Sequence, residues 1–315
     1  MSTQDIANRL NQTVSKLSTQ ESLNGLFHQH RDGDPLPSGE KLKDIIDLAR
    51  SILFPGYFGR SSFTRQTLEF HIGVRTERLH KMLAEQILAG LCYNNPCDEG
   101  EEDFNEWDCA RRKAEETSLL VIEKFPEIRR ILATDITAAY NGDPAAKSKA
   151  EIVSCYPVIR ALSSYRIAHE LYKLGVPLIP RLITETAHSE TGIDIHPGAQ
   201  IGEYFTIDHG TGVVIGATCI IGTNVKLYQG VTLGAKSFPL DDKGNPIKGI
   251  PRHPIIGSNV VIYSNATILG RITIGEGCVV GANVWVTRDM KPNTRKYKQE
   301  RIDKLDIEFN NGTGI

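Results

Sequence analysis

An aliphatic residue returns at every sixth position through the last third of the chain. Ile195, Ile201, Ile207 and Val213 are six apart; Ile215, Ile221, Leu227 and Leu233 continue in a frame displaced by two; Ile256, Ile262, Ile268, Ile274, Val280 and Val286 resume the period. Four places after most of them stands a small or β-branched residue, as at Ala199, Cys219, Val225, Val231, Val260, Ala266, Cys278 and Val284. This is not the repeat of an amphipathic helix. Short strands joined by sharp turns satisfy it, with one aliphatic per side pointing inward and Gly or Asn at the strained turn position. Three hexads close a coil of 18 residues, and about five coils stack into a parallel β-helix. Its open ends and flat sides need cover, so oligomerisation is expected.

Glycine use divides the chain at the same place. Of 28 glycines, 16 lie between Gly192 and Gly281, whereas the 191 residues before Gly192 hold 10. That first part reads as helices. From Ala7 to Phe27, Leu42 to Leu53, Leu68 to Leu91, Ala110 to Phe125, Ile128 to Tyr140 and Val158 to Leu174, apolar residues recur at three and four among Glu, Lys and Arg. Breakers stand where helices should stop: Pro35 and Pro37, Pro55-Gly56, Asn94-Asn95-Pro96, Gly142 before Pro144, and Gly175 before Pro177. Seven acids between Asp98 and Asp108 read as a solvated connection without the residue order of a calcium loop. The Lys-, Asp-, Gly- and Pro-containing span 235–251 interrupts the hexads and reads as an extruded loop.

Charge excludes several classes of function. With 36 basic and 38 acidic side chains in 315 residues, interspersed to a net charge of −2, the chain has no cationic footprint for nucleic acid or an anionic membrane. The uncharged stretch Gly210 to Val225 is too short and too polar to span a bilayer. Met1 to Asn11 includes Asp5 and no basic segment leading into an apolar one, so no secretory signal is read and the cytosol is the expected location. Six cysteines in a chain of this length are not a disulfide framework, and free buried thiols are expected.

Particular residues accompany the hexads. The runs Asp194-Ile195-His196-Pro197-Gly198-Ala199, Ile207-Asp208-His209-Gly210-Thr211-Gly212, Gln229-Gly230-Val231-Thr232-Leu233-Gly234 and Arg252-His253-Pro254 occur in that order. Upstream stand Asp143-Pro144-Ala145 and Tyr165-Arg166-Ile167-Ala168-His169. Together, from Leu132 to Val286, they resemble the serine acetyltransferases of the hexapeptide-repeat acyltransferase superfamily. The resemblance implies an α+β chain: a helical domain over residues 1–191 that mediates oligomerisation and lends Asp143 to the site, a left-handed parallel β-helix over 192–289 with its loop at 235–251, and a flexible C-terminal tail over 290–315. It also implies a homotrimer or dimer of trimers with active sites between subunits.

The residue types suit the implied reaction. Moving an acetyl group from a thioester to an alcohol needs a base for the hydroxyl proton, a group orienting that base, and a grip on the acceptor. A neutral histidine can take the proton and return it to the leaving thiolate, and His209 is assigned as that base. By the family pattern Asp194 fixes its tautomer and stabilises the imidazolium. A free amino acid carries a carboxylate and an ammonium; Arg252 fits the first, and Asp143 and Asp208 fit the ammonium and hydroxyl. His253 lines the same pocket. Acetyl-CoA is the implied donor, its pantetheine arm along Gly234 and Ala235, Ser264 and Ala282; Tyr263 stands where the family commonly has glycine. No metal is expected, and no cysteine matches a family nucleophile. L-cysteine is implied as an inhibitor at the serine site, and the terminal Ile315 as a contact for O-acetylserine sulfhydrylase.

Blander and rival readings compete with these. Taken alone, Asp143-Pro144 is a helix start with Asp as N-cap, Asp208 a turn residue, and His209 a structural turn histidine. Arg166 and His169, one helical turn apart, are expected in packing roles. A different hydroxyl acceptor, a sugar or an antibiotic, is the alternative within the superfamily. The rival of another class is a β-helical zinc hydratase of the carbonic anhydrase type, built from His196, His209 and His253 at a subunit boundary, although two of its ligands would stand closer in sequence.

Overall fold

The computed structural model describes residues 1–28, 35–59, 64–94 and 104–297. Among these, nine helices precede the first strand: α1 (Thr3–Leu17), α2 (Gln20–Leu23), α3 (Gly39–Leu53), α4 (Leu68–Asn94), α5 (Phe104–Glu123), α6 (Phe125–Gly142), α7 (Lys149–Cys155), α8 (Pro157–Lys173) and α9 (Ile179–Thr191). No helix among the described residues is long and apolar enough to cross a membrane. The helix expected over Ala7–Phe27 is two, divided where Thr19 caps α2 by accepting from Ser22 N. The expected acidic connection over Asp98–Asp108 is shorter, because α5 already begins at Phe104.

Two helices escaped the periodicity. α7 is too short to show a pattern, but Ser148-Lys149-Ala150-Glu151 announces it as a capping box: Glu151 N donates to Ser148 Oγ (3.1 Å) and Lys147 N to Glu151 Oε2 (2.7 Å). α9 is rich in threonine, a poor helix former. Its hydroxyls are absorbed by carbonyls of the same helix, Thr184 on Arg181, Thr186 on Leu182 and Thr191 on Ala187. Gly192, at φ 70°, then ends it.

A parallel β-solenoid of about five coils follows. Coil one holds β1 (Ile193–Ile195), β2 (Gln200–Ile201) and β3 (Thr206–Asp208); coil two β4 (Val213–Ile215), β5 (Ile220–Ile221) and β6 (Lys226–Tyr228). Coil three holds β7 (Thr232–Gly234), β8 (Ile255–Ile256) and β9 (Val261–Ile262); coil four β10 (Thr267–Leu269), β11 (Thr273–Ile274) and β12 (Val279–Val280); a last partial coil β13 (Trp285–Val286) and β14 (Arg295–Lys296). They stack into three sheets, β1-β4-β7-β10-β13, β2-β5-β8-β11 and β3-β6-β9-β12-β14, which are the first, second and third faces of a prism. The hexad aliphatics and the small residues four places on fill its axis; Ile215, Leu227, Ile256, Ile268 and Val280 are all buried, as are Ala199, Cys219, Ala266 and Cys278. Asn224, Asn259, Asn265, Asn283 and Asn293 take left-handed turn positions, at φ between 55° and 59°.

The solenoid outruns its expected end. Met290 bridges Ile274, and Arg295–Lys296 pair with Val279–Val280, so the strand register continues past 289. The rest of the expected tail, with Ile315, lies outside the described residues. Cys219, Cys278, Cys109 and Cys155 are free thiols but not all buried: Cys219 and Cys278 are in the core, whereas Cys109 and Cys155 are exposed, because only the first two occupy inward hexad positions.

Helices α6, α8 and α9 close the open end of coil one. Tyr165 OH donates to Ala199 O (2.6 Å), and His169 Nδ1 meets Pro197 O (2.7 Å). Between them Arg166 Nε donates to Asp135 Oδ2 (2.9 Å), while its Nη1 and Nη2 reach Ile201 O (3.3 Å) and Gly202 O (3.0 Å). The other Asp135 oxygen accepts from Phe205 N (3.0 Å). Both side chains are buried, at 7% and 0% exposure. Burial pushes the Asp135 carboxyl up to about 6 despite the guanidinium beside it. Removing one partner leaves the other charge unpaired in the interior. Arg166→Met is therefore expected to lower stability by about 3–5 kcal/mol in urea unfolding, with Arg166→Met/Asp135→Leu recovering part of that loss. A single variant as stable as the parent would refute this role.

Candidate active site

The frame displacement in the hexads has a structural cause. Register pairs Ile195 with Ile215 and Ile215 with Leu233, a step of 20 residues followed by one of 18. The two extra residues fall in the turn from β3 to β4. His209 there adopts φ 59°, with Gly210 and Gly212 also at positive φ. Gly210 must be glycine, since a Cβ would lie 2.5 Å from Ile193 Cδ1. Gly212 N donates to Gly192 O (2.8 Å), tying the turn to the mouth of coil one. The longer turn thrusts His209 outward, its side chain 73% exposed and Nε2 3.9 Å from Asp208 Oδ1.

The helices bring Asp143 to this corner. It is the C-cap of α6, not the N-cap of a following helix, because α7 starts only at Lys149 behind Ser148. Asp143 Oδ1 accepts from Ala145 N (2.8 Å) and Oδ2 from Tyr156 OH. These bonds, the tyrosine's first, hold its carboxyl below the usual range, and the charges of Lys226 and His209 act in the same direction. The bond to Asp143 pushes the Tyr156 phenol up to about 12. Lys226 Nζ joins the two carboxylate-bearing segments, 3.2 Å from Asp208 Oδ2 and 2.6 Å from Gly142 O. Neither Tyr156 nor Lys226 was read from the sequence as a site residue.

Higher on the same corner Asn265 N donates to Gln229 O and Asn283 N to Ser264 O, both at 2.9 Å. His209, Gln229, Ser264 and Ala282 thus form one column along the prism. Tyr263 stacks on Tyr228 beside it, ring centroids 5.0 Å apart. Gly234 and Ala235 lie at the other edge of the first face, at the root of the loop, which is exposed from Lys236 to Gly249. There Asp241 Oδ1 accepts from Lys243 N and Asn245 N, and Leu240 bridges Pro246, forming an exposed arm that carries Phe238, Leu240 and Ile247.

Arg252 and His253 occupy a different corner, between the first and second faces. His253 Nδ1 lies 2.9 Å from Thr218 Oγ1, and that oxygen accepts from Arg252 N (2.9 Å). The imidazole lies against Gly216, where a Cβ would sit 2.0 Å from it. Burial, then Arg252 and Arg271, push His253 down to about 4; burial, then Arg181, His253 and Arg252, do the same to His196. Asp194 lies between the corners on the first face, its Oδ1 buried without a hydrogen-bond partner among the described residues and 3.8 Å from Arg181 Nη1. The structure thus unites Asp143, Asp208 and His209 and sets Arg252 and His253 apart from them. Within one copy of the chain His209 is also apart from His196 and His253. The grouping with metal-ligand spacing among the described residues is Glu185, His188 and Asp194.

Coils of hexads with a histidine on a bulged turn and a helical cap define a hexapeptide-repeat transferase. Residues 253–288 match the family model described as bacterial transferase hexapeptide (six repeats). The plasmid serine acetyltransferase of Synechococcus elongatus is 49% identical over 310 residues, 97% of this chain and 95% of its own. Serine acetyltransferase 1 of Entamoeba histolytica, solved in complex with L-cysteine, is 36% identical, with 93% and 97% of the two chains covered and a TM-score of 0.70. The soybean enzyme complexed with serine is 28% identical over 83% of this chain and 96% of its own, with a TM-score of 0.51. The chain belongs to the serine acetyltransferase family.

Both low-lying imidazoles link the site to pH. His196 and His253 are neutral in the fold but protonate near 6.5 when unfolded, so their contribution is complete above pH 6.5 and is lost as pH falls toward about 4. Melting temperatures at pH 7.5 and pH 5 should fall farther apart for the parent than for His253→Gln. Equal drops would show that His253 is not held neutral by the fold.

Proposed function

We propose that this serine acetyltransferase transfers the acetyl group of acetyl-CoA directly to the hydroxyl of L-serine, at a site completed by two copies of the chain. The observation that carries this reading is the division of the groups between corners. Asp143, Asp208 and His209 at one corner suit an ammonium and a hydroxyl, whereas the guanidinium suited to the carboxylate, Arg252, is at the next corner with His253. A neighbouring prism presenting its Arg252 corner to the His209 corner of the first supplies both ends of one amino acid. This is consistent with a homotrimer, a closed ring in which each copy uses both corners once. The exposed arm at 235–251 is suited to closing the same junction.

His209 takes the serine hydroxyl proton as the oxygen attacks the thioester carbonyl. The tetrahedral intermediate collapses by breaking the carbon–sulfur bond, and the imidazolium returns its proton to the CoA thiolate. Asp194, with its unsatisfied buried oxygen, orients and stabilises that imidazolium once His209 turns toward it. The column of Ser264 and Ala282 leads away from His209 and suits the pantetheine arm, with Gly234 and Ala235 contributed across the junction. No step calls for a metal. L-cysteine shares the carboxylate and ammonium of serine and competes at Asp143, Asp208, Arg252 and His253. The helical region 1–191 acts as cap and donor of Asp143, and the enzyme works in the cytoplasm.

Thiol release from acetyl-CoA with a panel of hydroxyl acceptors tests the reaction: L-serine should turn over, sugars should not, and chelator treatment should leave the rate unchanged. His209→Ala should lose about 10²–10⁴-fold in kcat. Co-expressed with Arg252→Ala, it should regain roughly a quarter of parental activity through sites built from two intact corners. Turnover of sugars but not serine, or failure of the mixed pair to recover, would overturn the acceptor or the shared site respectively. Ile315 is proposed to dock into O-acetylserine sulfhydrylase; deleting it should abolish binding in a calorimetric titration, and undiminished affinity would remove that partner.

A further inference from the structure

Lys226 stands at the start of β6, on the third face of the prism, paired in register with Thr206 of coil one and Val261 of coil three. Its side chain is 16% exposed and its ammonium has three neighbours drawn from different parts of the chain. Nζ donates to Gly142 O (2.6 Å), a carbonyl at the negative end of α6. It lies 3.2 Å from Asp208 Oδ2 and 4.6 Å from the centroid of the Tyr228 ring. Gly142 packs beside the lysine: a Cβ there would be 3.4 Å from Nζ and 3.6 Å from Cδ, ordinary van der Waals contact. Burial opposes the charge, but Tyr228 and Asp208 outweigh it and hold the ammonium above its ordinary range. Gly142 is followed at once by Asp143, whose carboxylate is already fixed by Tyr156 and Ala145.

We propose that Lys226 is a positioning residue that builds the ammonium subsite for the amino-acid acceptor, bracing Asp208 of the solenoid against the α6 terminus that carries Asp143. This rests on the assignment of those two carboxylates to the acceptor pocket. Two carboxylates and one resident ammonium leave the corner with a single net negative charge, matched to the one positive charge of an α-ammonium. Lys226 occupies Asp208 Oδ2 and leaves Oδ1 facing the corner where His209 stands. It also spans the junction between helical cap and solenoid, so the separation of the two carboxylates is set before substrate arrives. Removing the ammonium frees the α6 terminus and leaves two like charges to be held apart by one substrate.

Steady-state kinetics with both substrates varied would test this. Lys226→Met should raise KM for L-serine about ten-fold or more while kcat and KM for acetyl-CoA change little, since the proton transfer and the donor groove are untouched. Lys226→Arg should restore part of the serine KM. Lys226→Gln, which removes the charge but keeps a polar side chain, should reproduce the KM effect and guards against a Lys226→Met chain that does not fold. Asp143→Asn and Asp208→Asn report on the underlying assignment. If these raise serine KM while Lys226→Met and Lys226→Gln do not, the brace is wrong and the pocket stands. If none of the four does, the pocket assignment itself falls. A Lys226→Met enzyme losing kcat and both KM values alike would mark a merely structural lysine.

Discussion

The buried pair of Asp135 and Arg166 holds the two halves of this protein in one geometry. A solenoid ends in unpaired backbone carbonyls and amides, and here those of Ile201, Gly202 and Phe205 are met by two charged side chains from α6 and α8. Each charge is acceptable in the interior because the other is beside it and the backbone of coil one takes up the remaining donors and acceptor. The pair orients α6, and the end of α6 is where Asp143 lies. A contact that looks purely structural therefore decides where Asp143 stands relative to the turn of His209.

From that anchor the chemistry follows a simple spatial rule. A solenoid of regular hexads offers identical corners, none of which is a site. Two local departures create difference: a turn lengthened by two residues, which drives His209 outward, and the loop after β7, which returns Arg252 and His253 to another corner. Regular repeats supply a rigid frame, and the irregularities hang the reactive groups on it. The two departures are on opposite edges of the first face.

Much of this was legible in the residues. The hexad period identified the solenoid, its frame displacement marked the turn of His209, and the loss of period at 235 marked the loop. α7 and α9 were hidden for physical reasons: one is held by its caps more than by any stripe, and the other uses threonines whose hydroxyls turn back onto their own helix. Asp143 before Pro144 looked like a helix start because Asp and Pro favour that place, yet here its backbone N–H caps the end of one helix on Ala139 O and its carboxylate fixes the turn through Ala145 and Tyr156. The solenoid's extension past 289 was unreadable as a hexad, since Met290 supplies the contact without an aliphatic every six residues.

By itself, the sequence determined the repeat, the coil count and the kind of transferase, and it singled out candidate side chains, because periodicity and residue type are local properties. Only the tertiary structure decided which of those side chains meet. Asp208 and His209 are neighbours in the chain, but Asp143 reaches them across a domain junction, and Lys226 completes the corner from the coil above. Arg252 and His253, equally evident as residues, face elsewhere. Proximity in a wound prism depends on the corner a residue occupies, and that is set by the sum of every turn and insertion before it.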